Sequence, residues 1–504
     1  MTMRKTSLLM AVLCCATAQA VAQQALCLDE SFQADIVPEG DVENIAFMDD
    51  GRIIAAGSLV RPYYEDPWGS RYIVDRRFFP DGSIDWSFHS QFGGGGGVKI
   101  WGADHFYMTI GASMVCRLHL ADGMTDTGYQ CNNQPEFETS QRAQFQTFAD
   151  GRQWRLGSYK KKHYDEEGNY LYSEPGYGLL QTLGNGHIDP DFDHKWLPMG
   201  MLWSIVELPD GRFLLGATRA TEYEGRPVGA IFRVDDEAHL DTTFHTTISW
   251  GAFARQVYHY PDGRLLVFGR MTAPEYPGDT LFAMRLHPDG STDATWPVIP
   301  FRHFTGNPVF TGITDFLEIE PGKLLVVGTF NYVGDVPVGA ITTLDTAGNV
   351  LLDYLPGTGA GFTEAGVIGN FAPNCRIYGI REGPDGFIYL WGTFKGYNDG
   401  CGDHPDHRML VRLYPLDVGV GELPGPVPEF TAHPNPGGDQ LSLFWDVPGR
   451  YEVAIRDLQG RTVWHGHHRK DDGPLDVAAL VPGMYAVATL SADGRRSTIK
   501  WMKQ

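Results

Sequence analysis

Three groups of residues have types and spacings that could do chemistry. Asn398, Asp399, Asp403 and Asp406, with His404 and His407, crowd a glycine-bearing stretch, and oxygen ligands at such short spacing can hold calcium. The pattern is not the twelve-residue EF-hand loop, and the simpler reading is a solvated loop pinned by Cys401. His465, His467 and His468 are of metal-binding type, but they fall in an expected loop. A histidine run there is solvated unless geometry and supporting hydrogen bonds converge on it. The third group is aromatic. The insertions at 60–70, 159–177, 218–227, 271–279 and 331–337 carry Tyr63, Tyr64, Trp68, Tyr223, Tyr276 and Tyr332, beside Tyr159, Tyr164, Tyr170 and Tyr172. Each insertion follows the second strand of a repeat, so all should project from one rim. Aromatic loops there suit a glycan or protein ligand; packing of long loops on the rim explains them equally. There is no Gly-x-Ser-x-Gly elbow, phosphate-binding glycine loop or His-Glu-x-x-His, so no catalytic or cofactor-binding residue is assigned and calcium is the one ion considered.

The elements that must position these groups are repeats. An Asp-Gly-type turn followed by an apolar strand ending near glycine recurs seven times, with terminal glycines at Gly57, Gly111, Gly157, Gly216, Gly269, Gly328 and Gly392. Asp-Gly suits a tight hairpin because glycine accepts positive φ and aspartate tolerates it. The strands are almost continuously apolar, as strands buried on both faces should be. A second hairpin alternates with the first, as in Pro288-Asp289-Gly290. Two hairpins per period predict a four-stranded antiparallel blade, and blades repeated radially make a β-propeller.

A short Asp-x-x-aromatic pattern sets the ring. It occurs at Asp85/Phe88, Asp126/Tyr129, Asp189/Phe192, Asp241/Phe244 and Asp293/Trp296, with a degenerate Leu351/Tyr354. The last repeat ends at Val411–Pro415 without a copy, whereas Asp29/Phe32 stands where no repeat precedes it. A linear solenoid has no use for that exchange; a closed ring does, because the N-terminal strand then completes the seventh blade. Arg77, Arg117, Arg233, Arg285 and Arg412 precede the second turn, which predicts a structural Arg–Asp pair across each hairpin.

The repeat resembles the delta-60 repeat family. Leu240-Asp241-Thr242-Thr243-Phe244 and Arg285-Leu286-His287-Pro288-Asp289-Gly290-Ser291-Thr292-Asp293 carry the resemblance, which spans residues 27–420. It implies a propeller and says little about activity.

Residues 421–429 form a Pro/Gly linker, and the repeat is absent beyond it. Alternating strands over 430–504 suggest a small immunoglobulin-like β-sandwich. This tail resembles the type A C-terminal sorting domain of type IX secretion. The matching residues are Pro434, Asn435 and Pro436, Asp457-x-x-Gly460, Pro482-Gly483-x-Tyr485, and the basic end that begins at Lys500. The resemblance implies a Bacteroidetes-type source, type IX secretion machinery as a partner, and release or attachment at the cell surface.

Export is also read at the other end. Residues 1–22 have a charged start at Arg4 and Lys5, an apolar stretch and small residues at a cleavage site, the pattern of a secretory signal. No stretch of the mature chain is apolar enough to span a bilayer. Net charge is −22, which argues against a nucleic-acid partner. Cys27, Cys116, Cys131, Cys375 and Cys401 remain after the signal. Sequence-local pairing favours Cys116–Cys131 and Cys375–Cys401 with Cys27 left over, although spacing does not fix connectivity. The sequence as a whole reads as an all-β protein: a seven-bladed propeller closed by its N-terminal strand, plus the sandwich. It would act outside the cell as a non-catalytic binding or adhesion module. A polysaccharide hydrolase or lyase with acidic residues in its channel, and a structural surface-layer component, are the alternatives.

Overall fold

The computed structural model describes residues 26–504 apart from 37–39, 60–72, 90–96, 111–113, 132–135, 198–199, 304–310, 356, 362–374, 416–429, 446–449, 457–461, 470–471 and 492–495. The described residues form two compact units, one ending at residue 415 and one beginning at 430. Both are all-β; the single helical turn among the described residues is Leu352–Tyr354. Among the described residues no helix is long and apolar enough to cross a membrane.

Among its described residues the first unit is a succession of seven main antiparallel sheets, with two small ones in the loops between their strands. The first strands of the seven are Asp41–Phe47, Val98–Trp101, Phe137–Thr147, Met201–Glu207, Ser249–His259, Ile313–Glu320 and Arg376–Glu382. Each pairs with the apolar strand after its Asp-Gly-type turn, for example Ile53–Leu59 or Leu265–Thr272, and that strand pairs with a third. A separate apolar core lies between each sheet and the next, from Phe88 and Phe106 between the first two to Leu325 and Ile377 between the sixth and seventh. A further core, built from Phe32, Val42, Tyr389 and Trp391, joins the seventh sheet to the first.

The repeated glycines have a packing cause. In five sheets the first strand carries an extra residue opposite the second strand, just after the residue paired with Gly57, Gly157, Gly269, Gly328 or Gly392. A β-bulge of this kind bends its strand and brings it close to the partner backbone. A Cβ at Gly392 would lie 2.1 Å from the Arg376 carbonyl oxygen, and one at Gly328 would lie 2.1 Å from that of Gly312. Only glycine fits.

The Asp-x-x-aromatic copies are turns locked by ion pairs. In each, one carboxylate oxygen accepts the N–H two residues on, at 3.0 Å from Ser87 to Asp85 and 3.0 Å from Thr295 to Asp293. The other oxygen accepts the arginine Nε, at 2.7 Å for Arg77–Asp85, Arg117–Asp126, Arg233–Asp241 and Arg285–Asp293. In the third sheet Gln181 replaces the arginine and donates to Asp189 at 2.7 Å. The guanidinium also lies over the ring three residues after the aspartate, 4.7 Å from the Phe88 centroid and 4.5 Å from that of Phe244. Burial opposes ionisation of Asp293, but its hydrogen bonds to Thr295 and Arg285 outweigh that and hold the carboxyl far below the usual range.

The seventh copy comes from the N-terminal segment. Leu28 bridges Leu413, the Asp29 N–H donates to the Arg412 carbonyl at 2.8 Å, and Arg412 Nε donates to the Asp29 carboxylate at 2.8 Å. Arg412 sits 5.0 Å from the Phe32 ring and donates to the Pro80 carbonyl of the first sheet at 2.8 Å. Arg117 reaches the next sheet's turn in the same way, at the Gly184 carbonyl.

Two expectations are corrected. At the turn, the fourth strand is reduced in all seven sheets to a single bridge, such as Phe78↔Ile84 or Leu286↔Thr292, because the chain turns away at the next residue, an aspartate in every sheet but the sixth. The disulfides are Cys116–Cys131, as expected, and Cys27–Cys401 rather than Cys375–Cys401. Pairing of residues 26–29 along the last strand brings Cys27 to Cys401 across 374 residues, with Cα atoms 6.0 Å apart. Cys375 is instead a free buried thiol in the core between the sixth and seventh sheets, and burial pushes its pKa up to about 12.

The second unit packs a sheet of Phe430–His433, Gln440–Trp445 and Leu475–Asp476 with one of Arg450–Arg456, Thr462–Arg469, Gly483–Ser491 and Arg496–Lys503. Both sheets contribute to one core around Trp445, Val453, Val487 and Trp501.

Candidate functional site

Six of the seven first strands of the larger unit contribute to a single cavity of about 680 Å³. Its lining carries Lys99, Arg255 and Arg381, the amides of Asn44, Gln144 and Gln146, and the indole of Trp203; no carboxylate is among the lining residues. The bulges help to build it. Trp203 and Arg255 are the extra residues of their strands, between Leu202 and Ser204 and between Ala254 and Gln256, and a bulge re-aims the side chain it carries.

Neighbouring strands fix the polar lining. The Ile205 N–H donates to Gln144 Oε1 at 3.0 Å, Gln146 Nε2 donates to Glu207 at 2.9 Å, and Trp203 Nε1 donates to Thr218 Oγ1 at 3.2 Å. Lys99 Nζ reaches the Thr147 carbonyl at 3.4 Å. Lys99 and Arg255 present surface to solvent yet are enclosed by protein, and this desolvation lowers both pKa values, opposed at Lys99 by the nearby Glu207. Asp315, 8% exposed, accepts N–H groups from Phe316 at 3.0 Å and Ile380 at 3.2 Å. Burial raises its pKa to about 6, moderated by those bonds and by Arg381.

The arrangement can hold an anion and hydrogen-bond a polar ligand. It contrasts with the acidic channel expected for glycoside hydrolysis, which uses a pair of carboxyl groups. The sequence left this cavity unread. The signal was present in the first strands, where Lys99, Arg255 and Arg381 stand apart from the arginines of the turns.

The aromatic residues expected on a rim divide. Tyr63, Tyr64 and Trp68 lie outside the described residues. Tyr223 is fully buried, 4.7 Å from the Phe232 ring, and donates to the Ala238 carbonyl at 2.9 Å. It is a packing residue, because the two-stranded hairpin of Glu222–Tyr223 and Arg226–Pro227 folds it inward. Half-buried Tyr276 donates to the Trp296 carbonyl at 3.3 Å, and half-buried Tyr332 lies 5.2 Å from the Arg302 guanidinium. The exposed aromatics are Tyr164, Tyr170 and Tyr172, at the end of the long hairpin Gln153–Tyr164 and Tyr170–Thr182; Tyr159 is buried.

In the stretch weighed for calcium, residues 398–403 form a turn that bonds to itself and to the N-terminal segment. Asp399 is buried and accepts N–H groups from Leu28 at 2.5 Å and from Cys401 and Gly402 at 2.8 Å, while Asn398 donates to Asp403. Cys27, Asp399 and Cys401 are grouped as metal ligands could be, but the two sulfurs are joined in the disulfide. The three histidines lie on the strand Thr462–Arg469, not in a loop. Alternation puts exposed His465 and His467 on one face and turns His468 into the core, 5.7 Å from Trp445.

The tail's motif residues meet around the last strand. Asn435 Nδ2 donates to the Lys500 carbonyl at 2.9 Å, and Trp501 Nε1 donates to the Pro434 carbonyl at 2.8 Å. Pro436 completes this segment, in which His433–Pro434 and Asn435–Pro436 are cis. Tyr485 lies opposite Trp501 and donates to the Val481 carbonyl at 2.6 Å, just before Pro482 and Gly483. Gly460 lies outside the described residues.

No family model and no curated protein matches this chain. Among solved structures, the extracellular domain of the one-component system BT4673 from B. thetaiotaomicron aligns at TM-score 0.35 and 10% identity, covering 92% of this chain and 69% of that one. YCF48 bound to D1 peptide aligns at TM-score 0.36 and 10% identity over 78% of this chain and 99% of that one. The WD40 β-propeller domain of Doa1 aligns at TM-score 0.33 and 13% identity over 77% and 96%. Likeness at this level carries no argument about this chain, whose function has to be read from its own geometry.

Proposed function

We propose that the larger unit is a seven-bladed β-propeller closed by its N-terminal segment, and that it acts outside the cell as a non-catalytic binding module. Support for the ring comes from counting: an open row of seven sheets has six interfaces, and this unit has seven. The observation that carries the binding reading is the central cavity, toward which the first strands converge polar and cationic side chains. A preformed concave site with a few placed polar groups is what a ligand-binding protein needs. The lining residues include no pair of carboxyl groups, which counts against glycoside hydrolysis there.

The smaller unit is proposed to be an immunoglobulin-like sorting domain that takes the protein through type IX secretion to the cell surface or medium. The meeting of Pro434, Asn435, Lys500 and Tyr485 around Trp501 supports it, since residues far apart in sequence form one local surface.

A glycan array run beside a reducing-sugar assay tests the first reading. Retention of an intact ligand is expected; turnover would refute the non-catalytic role. Deleting residues 430–504 in the native host tests the second. Accumulation in the periplasm is expected, and undiminished export would refute it.

A further inference from the structure

We propose that the central cavity binds an anionic oligosaccharide, one bearing carboxylate or sulfate groups, through Lys99, Arg255 and Arg381. This deepens the binding-module reading, on which it rests, by naming the ligand class.

The chain carries a net charge of −22, yet the lining of this cavity holds three cations and no carboxylate. The repeat does not account for them. Its turns use Arg77, Arg117, Arg233, Arg285 and Arg412, each bonded to a turn aspartate. The cavity's cations stand on first strands instead, where other sheets place Ala46, Gln146 or Trp203 in the same lining. Cations gathered in a cleft with protein walls focus a positive potential on whatever enters. Guanidinium groups add planar forks that match carboxylate or sulfate oxygens.

The remaining lining favours a saccharide. Gln144 and Gln146 are oriented by their bonds to Ile205 and Glu207, and each amide keeps capacity for more than the one bond it makes. Such groups suit hydroxyls. The Trp203 ring is held through its N–H by Thr218 and offers an apolar surface beside them. At about 680 Å³ the cavity falls within the ~300–1,000 Å³ of small-ligand sites, a size for a short oligosaccharide and not a folded partner.

The test is calorimetric titration of the purified protein with trigalacturonic acid, a sulfated disaccharide, neutral maltotriose and hexaglutamate. Variants Arg255→Gln and Arg381→Gln are compared with Arg302→Gln, whose side chain is exposed and pairs with Asp335 on the surface. Matched melting curves establish folding. One or both anionic saccharides should bind, and the pair separates carboxylate from sulfate recognition. Each cavity variant should weaken binding about 10- to 100-fold, the worth of one charged hydrogen bond; Arg302→Gln should not. Equal binding of maltotriose, binding of hexaglutamate alone, or no binding at all would overturn the proposal. Saccharide binding untouched by Arg255→Gln and Arg381→Gln would also overturn it while leaving the binding-module reading intact. Cleavage of trigalacturonic acid that both variants impair would uphold the cavity assignment and remove the non-catalytic reading instead.

Discussion

Replacing Asp293 with alanine should cost the larger unit about 3–5 kcal/mol. The carboxylate is 3% exposed and accepts from Thr295 N–H at 3.0 Å, Thr295 Oγ1 at 2.6 Å, Arg285 Nε at 2.7 Å and Arg264 Nη1 at 3.2 Å. Removing it strands the Arg285 guanidinium, itself 9% exposed, with the Thr295 hydroxyl as its remaining bonded partner of that turn. Breaking one side of a buried ion pair costs ~3–5 kcal/mol, a large share of the ~5–15 kcal/mol that holds a typical domain. The control is Asp262→Ala, which removes the exposed partner of Arg264; surface pairs are worth ~0–1 kcal/mol. Urea unfolding with linear extrapolation measures both. Replacing Arg285 with leucine in the Asp293→Ala background should recover part of the loss, since no buried charge is then unpaired. The sign of the pKa shift sets the pH dependence. Asp29, Asp85, Asp126, Asp241 and Asp293 all titrate below their ordinary value of 3.8 in the folded protein. Their contribution is therefore complete above about pH 4 and is lost as pH falls toward the folded values. A loss no greater than that of Asp262→Ala, or a stability flat from pH 5 to pH 2, would refute the argument that these pairs lock the turns.

Three further outcomes are expected. Cys27→Ser should cost up to about 5 kcal/mol and Cys116→Ser about 3, because the first bond closes 374 residues and the second 15; equal losses in urea unfolding would contradict this, and iodoacetamide should label Cys375 only after denaturation. Asp315 is destabilising when ionised, because its pKa is raised from 3.8 to about 6; stability should fall as pH rises through that window. Asp315→Asn should then gain up to about 3 kcal/mol at pH 8 and none at pH 4, and an equal effect at both would exclude the ionisation argument. Gly392→Ala forces a Cβ to within 2.1 Å of the Arg376 carbonyl and should lower stability by about 1–3 kcal/mol, the range for overpacking, as read by thermal unfolding.

The local elements were legible because their causes are local. Asp-Gly turns, apolar second strands and the Asp-x-x-aromatic copies each encode a short-range geometry, and the structure returns them at the expected residues. The Arg–Asp pairs were legible for the same reason, being eight residues apart in Arg285–Asp293. The reduced fourth strand was missed because a hydrophobic pattern does not reveal how soon an aspartate turns the chain. Tyr223 was misplaced because an aromatic in an insertion reads the same whether its hairpin stands out or folds back onto Phe232.

Sequence alone determined the period, the all-β class and the displaced N-terminal copy of the turn, since those depend on residues within reach of one another along the chain. Tertiary structure decided which cysteine meets Cys401, where the bulge residues point, and that Lys99, Arg255 and Arg381 share one cavity. Those facts depend on strands hundreds of residues apart being brought together by sheet packing, and no spacing in a linear chain records that distance.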